Sequence, residues 1–520
     1  VRTYLEGTVT IPAENESQRS RKQTIGLIAG PVVALAILLV FDLDPDNPLV
    51  TRTAAVAALM AIWWMTEAIP IPATALLPVV LFPLLGIMTG KAAAATYFNS
   101  IIFLFIGGFI MALGMQKWRL HRRIALRIIL ALGTSPRRLI LGFMIATAFL
   151  SMWISNTATT MMMVPIALAI IIKLRESDEG GDLGRFPIGL LIGIAYAASI
   201  GGIATLIGTP PNLSFSRIFV IYFPQAPEIS FANWFVFGLP CSFVFLTIAW
   251  ILLSVMFVPR GRAVSVSREV FRREYARLGR MTYEEKWVLA LFGLMALLWL
   301  FREGISAGEF SLPGWSALLP VPGHVDDGTV AIAISLLLFV IPSKSAESKC
   351  LMDWSTARRL HWGIVLLFGG GFALATGFKE SGLSVWVAEQ LTVLGDAPAV
   401  VLVGSVCTLM TFLTELTSNT ATTEMALPLL GSLAVAIKAN PLLLMIPATL
   451  SASCAFMLPV ATPPNAIVFG SGEVRMADMM RAGIFMNLIG VVLITGLLYL
   501  VGLAAFNIDP AILPDWAVTG

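Results

Sequence analysis

The chain reads as an all-α polytopic membrane protein of about eleven transmembrane helices plus two re-entrant hairpins, built as two halves of inverted topology. Three observations predict this. Only 12% of the 520 residues are Asp, Glu, Lys or Arg, while 57% are apolar, against about 25% and 45–50% in a soluble chain. Uncharged apolar stretches long enough to cross a bilayer recur along the sequence. A motif from the first half returns in the second at a fixed offset. This composition excludes an ordinary soluble enzyme, a disordered or coiled-coil chain and a nucleic-acid-binding protein, none of which keeps its charge so low. With 34 Lys+Arg against 31 Asp+Glu, net charge points to no acidic partner. The placement of charge carries the information instead.

Residues 1–23 are polar, with Arg19, Arg21 and Lys22 just before the first apolar run, and are expected to be a cytoplasmic segment rather than a cleaved leader. The run 24–41 holds 18 residues without a charge, about 27 Å as a helix and enough to cross. Apolar segments follow at 53–69, 73–88, 101–116, 139–172, 187–222, 232–258, 286–301, 328–342, 362–378, 397–437, 441–472 and 483–506. Helix is the assignment for all of them, because barrel strands would alternate apolar and polar residues.

Lys and Arg near span ends set the orientation. Segment 117–138 holds seven and 259–286 holds eight, whereas 42–52, 223–231 and 302–327 hold one, none and one. The basic segments are therefore cytoplasmic, as is the N-terminus, and the C-terminus is external. Residues 139–172 are too long for one span and carry basic residues on both flanks, so they form a hairpin opening inward. Residues 397–437 have the same shape, but their flanks hold mainly Lys379, Glu380, Glu389, Asp396 and Lys438, and they form a hairpin opening outward. The expected organisation is a cytoplasmic segment 1–23, a first span and outer loop 24–52, a first repeat 53–258, a cytoplasmic linker 259–285, a second repeat 286–506 and an external tail 507–520.

The repeat aligns without gaps over about sixty positions at an offset of 263. Phe105, Gly107, Gly108, Phe109, Ala112 and Gly114 meet Phe368, Gly370, Gly371, Phe372, Ala375 and Gly377. Ser155-Asn156-Thr157-Ala158-Thr159-Thr160 returns as Ser418-Asn419-Thr420-Ala421-Thr422-Thr423. At a spacing ten residues shorter, because the first half carries an extra polar run around 175–185, Thr209-Pro210-Pro211-Asn212 returns as Thr462-Pro463-Pro464-Asn465. Residues 380–401, which match the basic segment 117–138, contain no Lys or Arg. The second half is therefore flipped, as in secondary transporters whose site lies near the midplane between repeats.

Ser-Asn-Thr in mid-hairpin is a turn signal where the chain should reverse at membrane depth. Irregular backbone is tolerated there only when it is buried in protein or lines a wet cavity. Thr-Pro-Pro-Asn breaks a long span, because prolines remove donors and restrict the preceding residue. Hydroxyls, an amide and freed carbonyls suit a small hard cation such as sodium, and half-helix N-termini suit an anion. Neither tip nor break contains Lys, Arg or His. A buried dianion needs compensation, and bound cations would supply it.

The remaining polar groups point elsewhere. Glu67 sits near a span end and reads as structural, while Glu415 and Glu424 flank the second tip and could be structural or bias it toward cations. Cys241, Cys350, Cys407 and Cys454 form no CxxC and read as small hydrophobes. His121, His324 and His361 lie in or near loops with no nucleophile–base arrangement, so the chain is not expected to be an enzyme.

These tips and breaks, together with Trp64-Met65-Thr66-Glu67-Ala68-Ile69-Pro70 and the run 458–470, resemble the divalent anion/sodium symporter (DASS) family over residues 24–506, in particular its bacterial dicarboxylate transporters. The resemblance implies a homodimer in a bacterial inner membrane, an elevator-type mechanism and sodium-coupled uptake of C4-dicarboxylates such as succinate, fumarate or malate. It implies one sodium ion held by Ser151, Ser155, Asn156 and the Gly208 backbone, and a second held by Thr414, Thr417, Asn419 and the Ala461 backbone. It places substrate against Ser155, Asn156, Thr157, Thr209 and Pro210 from one half and Ser418, Asn419, Thr420, Thr462 and Pro463 from the other. The same family holds sodium-independent exchangers and sulfate or citrate carriers. A membrane-embedded hydrolase or an anion channel are the readings from other classes.

Overall fold

The computed structural model describes residues 19–133, 135–176, 183–258, 268–307, 310–346, 348–510 and 512–518. Most of the expected segment 1–23, residues 259–267 of the linker and the last two residues of the tail lie outside these.

Helix α1 (Arg21–Val40) starts at a capping box between Ser20 and Gln23. It leans on α2 (Pro48–Thr66) through Gly30, where a Cβ would come within 2.5 Å of the Trp63 indole nitrogen. Its outer face, with Ile28, Leu39 and Val40, is exposed. Helix α2 begins five residues before the expected 53, because Asn47 caps it and Pro48 fits its first turn. Glu67 follows its end in a left-handed conformation and is exposed. The expected span 73–88 is not one helix. It is divided at 75–76, just ahead of Pro78, into Ile71–Thr74 and Leu77–Leu84.

There follow α3 (Ser100–Lys117), the amphipathic α4 (Leu120–Leu132), α5 (Pro136–Ser151) and α6 (Asn156–Glu176). Next come α7 (Phe186–Ile203), α8 (Pro210–Tyr222), α9 (Phe231–Phe257), α10 (Arg268–Arg277) and α11 (Tyr283–Leu300). A small antiparallel ribbon pairs β1 (Ile305–Ala307) with β2 (Phe310–Leu312). The second half runs through α12 (Asp327–Val340), α13 (Trp362–Ser381), α14 (Leu383–Gln390), α15 (Ala399–Thr414) and α16 (Asn419–Ala436). It ends with α17 (Leu442–Ala452), α18 (Pro463–Gly470) and α19 (Met476–Leu497). Among the described residues, eight helical stretches are long and apolar enough to cross a membrane.

The two halves interlock. Each hairpin's arms meet at a short tip, α5 with α6 at 152–155 and α15 with α16 at 415–418. Each broken span follows its own hairpin, with α7 against α5 and α17 against α15. The short helices after the breaks then cross over: α8 packs on α16 of the second hairpin, and α18 packs on α6 of the first. One hydrophobic core runs through most of the chain, and a second is centred on α2, α13 and α14 with Phe82 and Tyr97.

Charged groups fasten the periphery. Arg123 is buried in a two-bond pair with Glu285, both bonds 3.0 Å, and also donates to the Gly279 and Leu278 carbonyls. This ties α4 to the start of α11. Arg175 forms a two-bond pair with Glu473 and so links the first hairpin to the second half. Lys117 meets Asp353 at 2.5 Å, and this ammonium holds the Asp353 carboxyl well below the usual carboxylate range.

Candidate functional site

The two tips are built alike. Ser151, the last residue of α5, is fully buried and donates its hydroxyl to the Ala198 carbonyl at 2.7 Å. The same oxygen lies 2.6 Å from the Asn156 side-chain amide. Thr414 ends α15 in the same way, 2.9 Å from the Ala452 carbonyl and 2.7 Å from Asn419 Oδ1. Behind each tip the next hydroxyl locks the arm, Thr160 onto the Asn156 carbonyl and Thr423 onto the Asn419 carbonyl, both at 2.8 Å.

The first cluster has an ambivalent centre. The inward end of the Asn156 amide faces Ser151 Oγ, the Ala198 carbonyl and the Gly208 carbonyl. With its nitrogen inward, the amide donates to all three, at 2.6, 3.0 and 3.2 Å. With its oxygen inward, four oxygens come together here, and oxygen ligands are what a hard cation takes. Ser151 and Thr414 each have a single hydroxyl proton and two close oxygens, so with its asparagine oxygen inward each cluster carries more acceptors than protons to satisfy them.

The breaks are held open by asparagine. The Asn212 amide donates to the Thr205 carbonyl at 2.8 Å, and more weakly to Gly202 and Ile203. The Asn465 amide donates to Leu458 at 3.0 Å and Ala455 at 3.1 Å. These bonds satisfy carbonyls freed where the helix stops. Gly208 must be glycine, because a Cβ there would sit 2.5 Å from the Gly202 carbonyl.

Four helices therefore begin inside the motifs: α6 at Asn156, α16 at Asn419, α8 at Pro210 and α18 at Pro463. Ser155 Oγ caps α6 at the Ala158 amide, and Thr462 Oγ1 caps α18 at the Asn465 amide. The hydroxyls of Thr157, Thr209, Ser418 and Thr420 make no hydrogen bond among the described residues. Pro210 is half-buried and Pro463 exposed. Thr417 is turned elsewhere: its hydroxyl engages the Leu413 carbonyl at 2.9 Å and the Thr422 hydroxyl. Ala461 is buried beside the second break, its amide donating to the Leu458 carbonyl. No Lys, Arg or His stands in either tip or break. Among the described residues no cluster of His, Cys, Asp and Glu is arranged to hold a metal.

Sequence reasoning missed the Ala198 and Ala452 carbonyls, which carry no side-chain signal. It also missed Asn487, buried in α19, where a lone amide in an apolar span was the available sign. Asn487 donates to Glu415 Oε1, which also accepts the Phe456 and Met457 amides at 2.7 and 2.8 Å, while Oε2 accepts Leu458 at 3.0 Å. Glu415 thus closes the second break as a structural acceptor, where the first half uses Thr205 on the Met152 carbonyl. Glu424 is fully buried in α16 against Gly371, and Ser214 of α8 donates to its Oε1 at 3.1 Å.

An apolar helical chain with two matched, cation-free polar tips and two matched helix breaks defines a multi-pass membrane transporter. A family model described as the sodium:sulfate symporter transmembrane region matches residues 22–504, and the chain belongs to that family, whose members are transporters rather than enzymes. It is 44% identical over 493 residues to the sodium-dependent dicarboxylate transporter SdcS of Staphylococcus saprophyticus, covering 94% of this chain and 93% of that one. It is 45% identical over 499 residues to SdcS of Staphylococcus aureus, with the same coverage. Among solved structures, the YdaH transporter of Alcanivorax borkumensis superposes with a TM-score of 0.53 at 14% identity, over 82% of this chain and 89% of that one. MtrF of Neisseria gonorrhoeae gives 0.54 at 12% identity, over 91% and 98%. At such identities these two share the fold alone.

Proposed function

We propose that this protein is a sodium-coupled symporter that carries C4-dicarboxylates such as succinate, fumarate or malate into a bacterial cell. The observation that carries this reading is the pair of oxygen clusters, Ser151–Asn156–Ala198–Gly208 and Thr414–Asn419–Ala452, in a site with no fixed cationic side chain. The names of the 44–45% identical relatives supply the substrate class.

One sodium ion lies within the first cluster, with Ser155 beside it, and a second within the other, near Ala461 and Thr417. The dianion lies between the tips, against the free hydroxyls of Thr157, Thr209, Ser418 and Thr420. Bringing two negative charges to membrane depth without compensation is prohibitive. Two bound sodium ions and four helix N-termini offset that cost, so substrate affinity depends on sodium and the reverse. Sodium entering the first site turns the Asn156 amide oxygen inward. The tips then cross the membrane together as an elevator body within a homodimer, with the N-terminus cytoplasmic and the C-terminus external.

The test is uptake of labelled succinate into proteoliposomes under an inward sodium gradient, competed with fumarate, malate, citrate and sulfate. Uptake that needs sodium and is competed by the C4 acids supports the reading. Equal uptake in choline overturns the coupling, and competition by sulfate alone overturns the substrate class.

A further inference from the structure

Outside the tips, one cavity of about 610 Å³ lies between the first hairpin and the two peripheral helices α4 and α10. It follows one face of α6 from Met161 and Met162 through Pro165, Ile166 and Ala169 to Lys173. The twelve helical rises from 161 to 173 make a slot about 18 Å long. Its inner part is apolar, with Leu150 and Phe271 completing the walls, and its mouth is basic. Burial pushes the His121 imidazole down, so the positive charge at the mouth comes from Arg122, Lys173, Arg273 and Arg277. Glu274 is the one carboxylate on the lining, and Arg122 and Arg277 already share it at 3.1 and 2.6 Å; Arg273 meets Glu269 of its own helix at 3.2 Å in an exposed pair, so four cations face two carboxylates. Lys173 has no ion-pair partner among the described residues.

A C4 dianion fills a small fraction of such a slot and gains nothing from its methionine-lined interior. A single acyl chain matches both its length and its polarity, and the surplus of cations at the mouth calls for an anionic head. Basic pockets between membrane helices take lipid headgroups for this reason, and α4 is an amphipathic helix of the kind that lies in the interface. We propose that the slot between α4, α6 and α10 is a binding site for an anionic phospholipid, its headgroup at Lys173 and Arg273 and one chain along α6. The lipid bridges the moving hairpin to the peripheral helices and stabilises their present arrangement.

The experiment measures Tm of the full chain in a mild detergent with phosphatidylglycerol, with phosphatidylcholine, and with inorganic phosphate or succinate in sodium-free buffer. Phosphatidylglycerol raises Tm by several degrees and the other three do not. Lys173→Gln with Arg273→Gln removes the headgroup contacts, and Ala169→Trp fills the slot while leaving the charges in place. Each abolishes the rise. The double Gln variant changes exposed side chains and folds even where the Trp variant does not. An equal rise with phosphatidylcholine would make the slot a general acyl groove and overturn the proposal. A rise with phosphate or succinate alone would make it an aqueous vestibule, and a rise that persists in the variants would place the lipid elsewhere. Each of these also overturns it.

Discussion

Phe105 and Phe368 meet edge to face with ring centroids 5.3 Å apart and planes at 86°, and each holds the position in its half that the other holds in its own. Equivalent residues touch each other only at a symmetry axis, so this contact marks where the internal two-fold passes. Each ring also packs on the phenylalanine one turn on, Phe109 or Phe372. A double-mutant cycle with Phe105→Leu and Phe368→Leu should show coupling of about 0.5–1.5 kcal/mol in thermal unfolding. Strict additivity would mean the rings pack independently.

The matched hydroxyls give a matched prediction. Ser151→Ala and Thr414→Ala each remove one oxygen from one cluster and should raise the sodium concentration for half-maximal uptake roughly tenfold, equivalent to about 1.4 kcal/mol. Asn156→Ala and Asn419→Ala should each abolish uptake while the protein elutes normally on size exclusion. A sodium dependence unchanged in both hydroxyl variants would remove the clusters as ion sites.

Glu415 accepts four hydrogen bonds around the second break. In Glu415→Gln an amide NH₂ faces donors where a carboxylate oxygen had accepted them. The expected loss is about 2–3 kcal/mol, read as a fall in Tm. Met152→Gln, at the matching place in the first half, should do far less.

Gly371 has no room for a methyl group, because a Cβ there runs into the Glu424 carboxyl. Gly371→Ala should cost about 1–3 kcal/mol by overpacking. Glu424→Ala empties that space, so the double variant should be more stable than the sum of the single losses predicts. Simple additivity in Tm would show that α13 and α16 adjust by another route.

The Lys117–Asp353 pair gives a pH dependence. The folded-state pKa of Asp353 is depressed, so its contribution is fully present above its unfolded value of about 3.9 and disappears as pH falls through the lower folded value. The carboxylate side chain is 38% exposed, so the contribution stays below about 1 kcal/mol. Asp353→Asn, which keeps the cap on the following turn, should lower Tm slightly at pH 7. The two proteins should converge in acid.

The helices and the repeat were legible in sequence because hydropathy and the offset of 263 depend on side chains alone. The tips were legible for the same reason: Ser155-Asn156-Thr157 and its copy are polar islands in apolar runs. What could not be read is backbone. The Ala198 and Ala452 carbonyls carry no side-chain signal and reach the clusters from inside α7 and at the end of α17, whereas the Gly208 backbone was expected from the family resemblance. Glu415 is the instructive case. Its position beside a tip left a structural carboxylate and a group biasing the tip toward cations both open, and the three amides converging on it from 456–458 show that it supports the loop. Likewise, Pro78, at the break that cuts 73–88 into two short helices, was visible, but an average hydropathy passes over it.

The crossing of α8 onto the second hairpin and α18 onto the first bears on how such a chain could arise. A polypeptide of half this length would carry a tip with no helix to close it, and two copies would have to find each other before either held an ion. Joining them in one chain supplies the partner at the effective concentration of a tether rather than that of a dilute membrane protein. Once joined, the halves no longer need to be self-complementary. That freedom is what lets a glutamate stand at 415 where its counterpart at 152 is methionine.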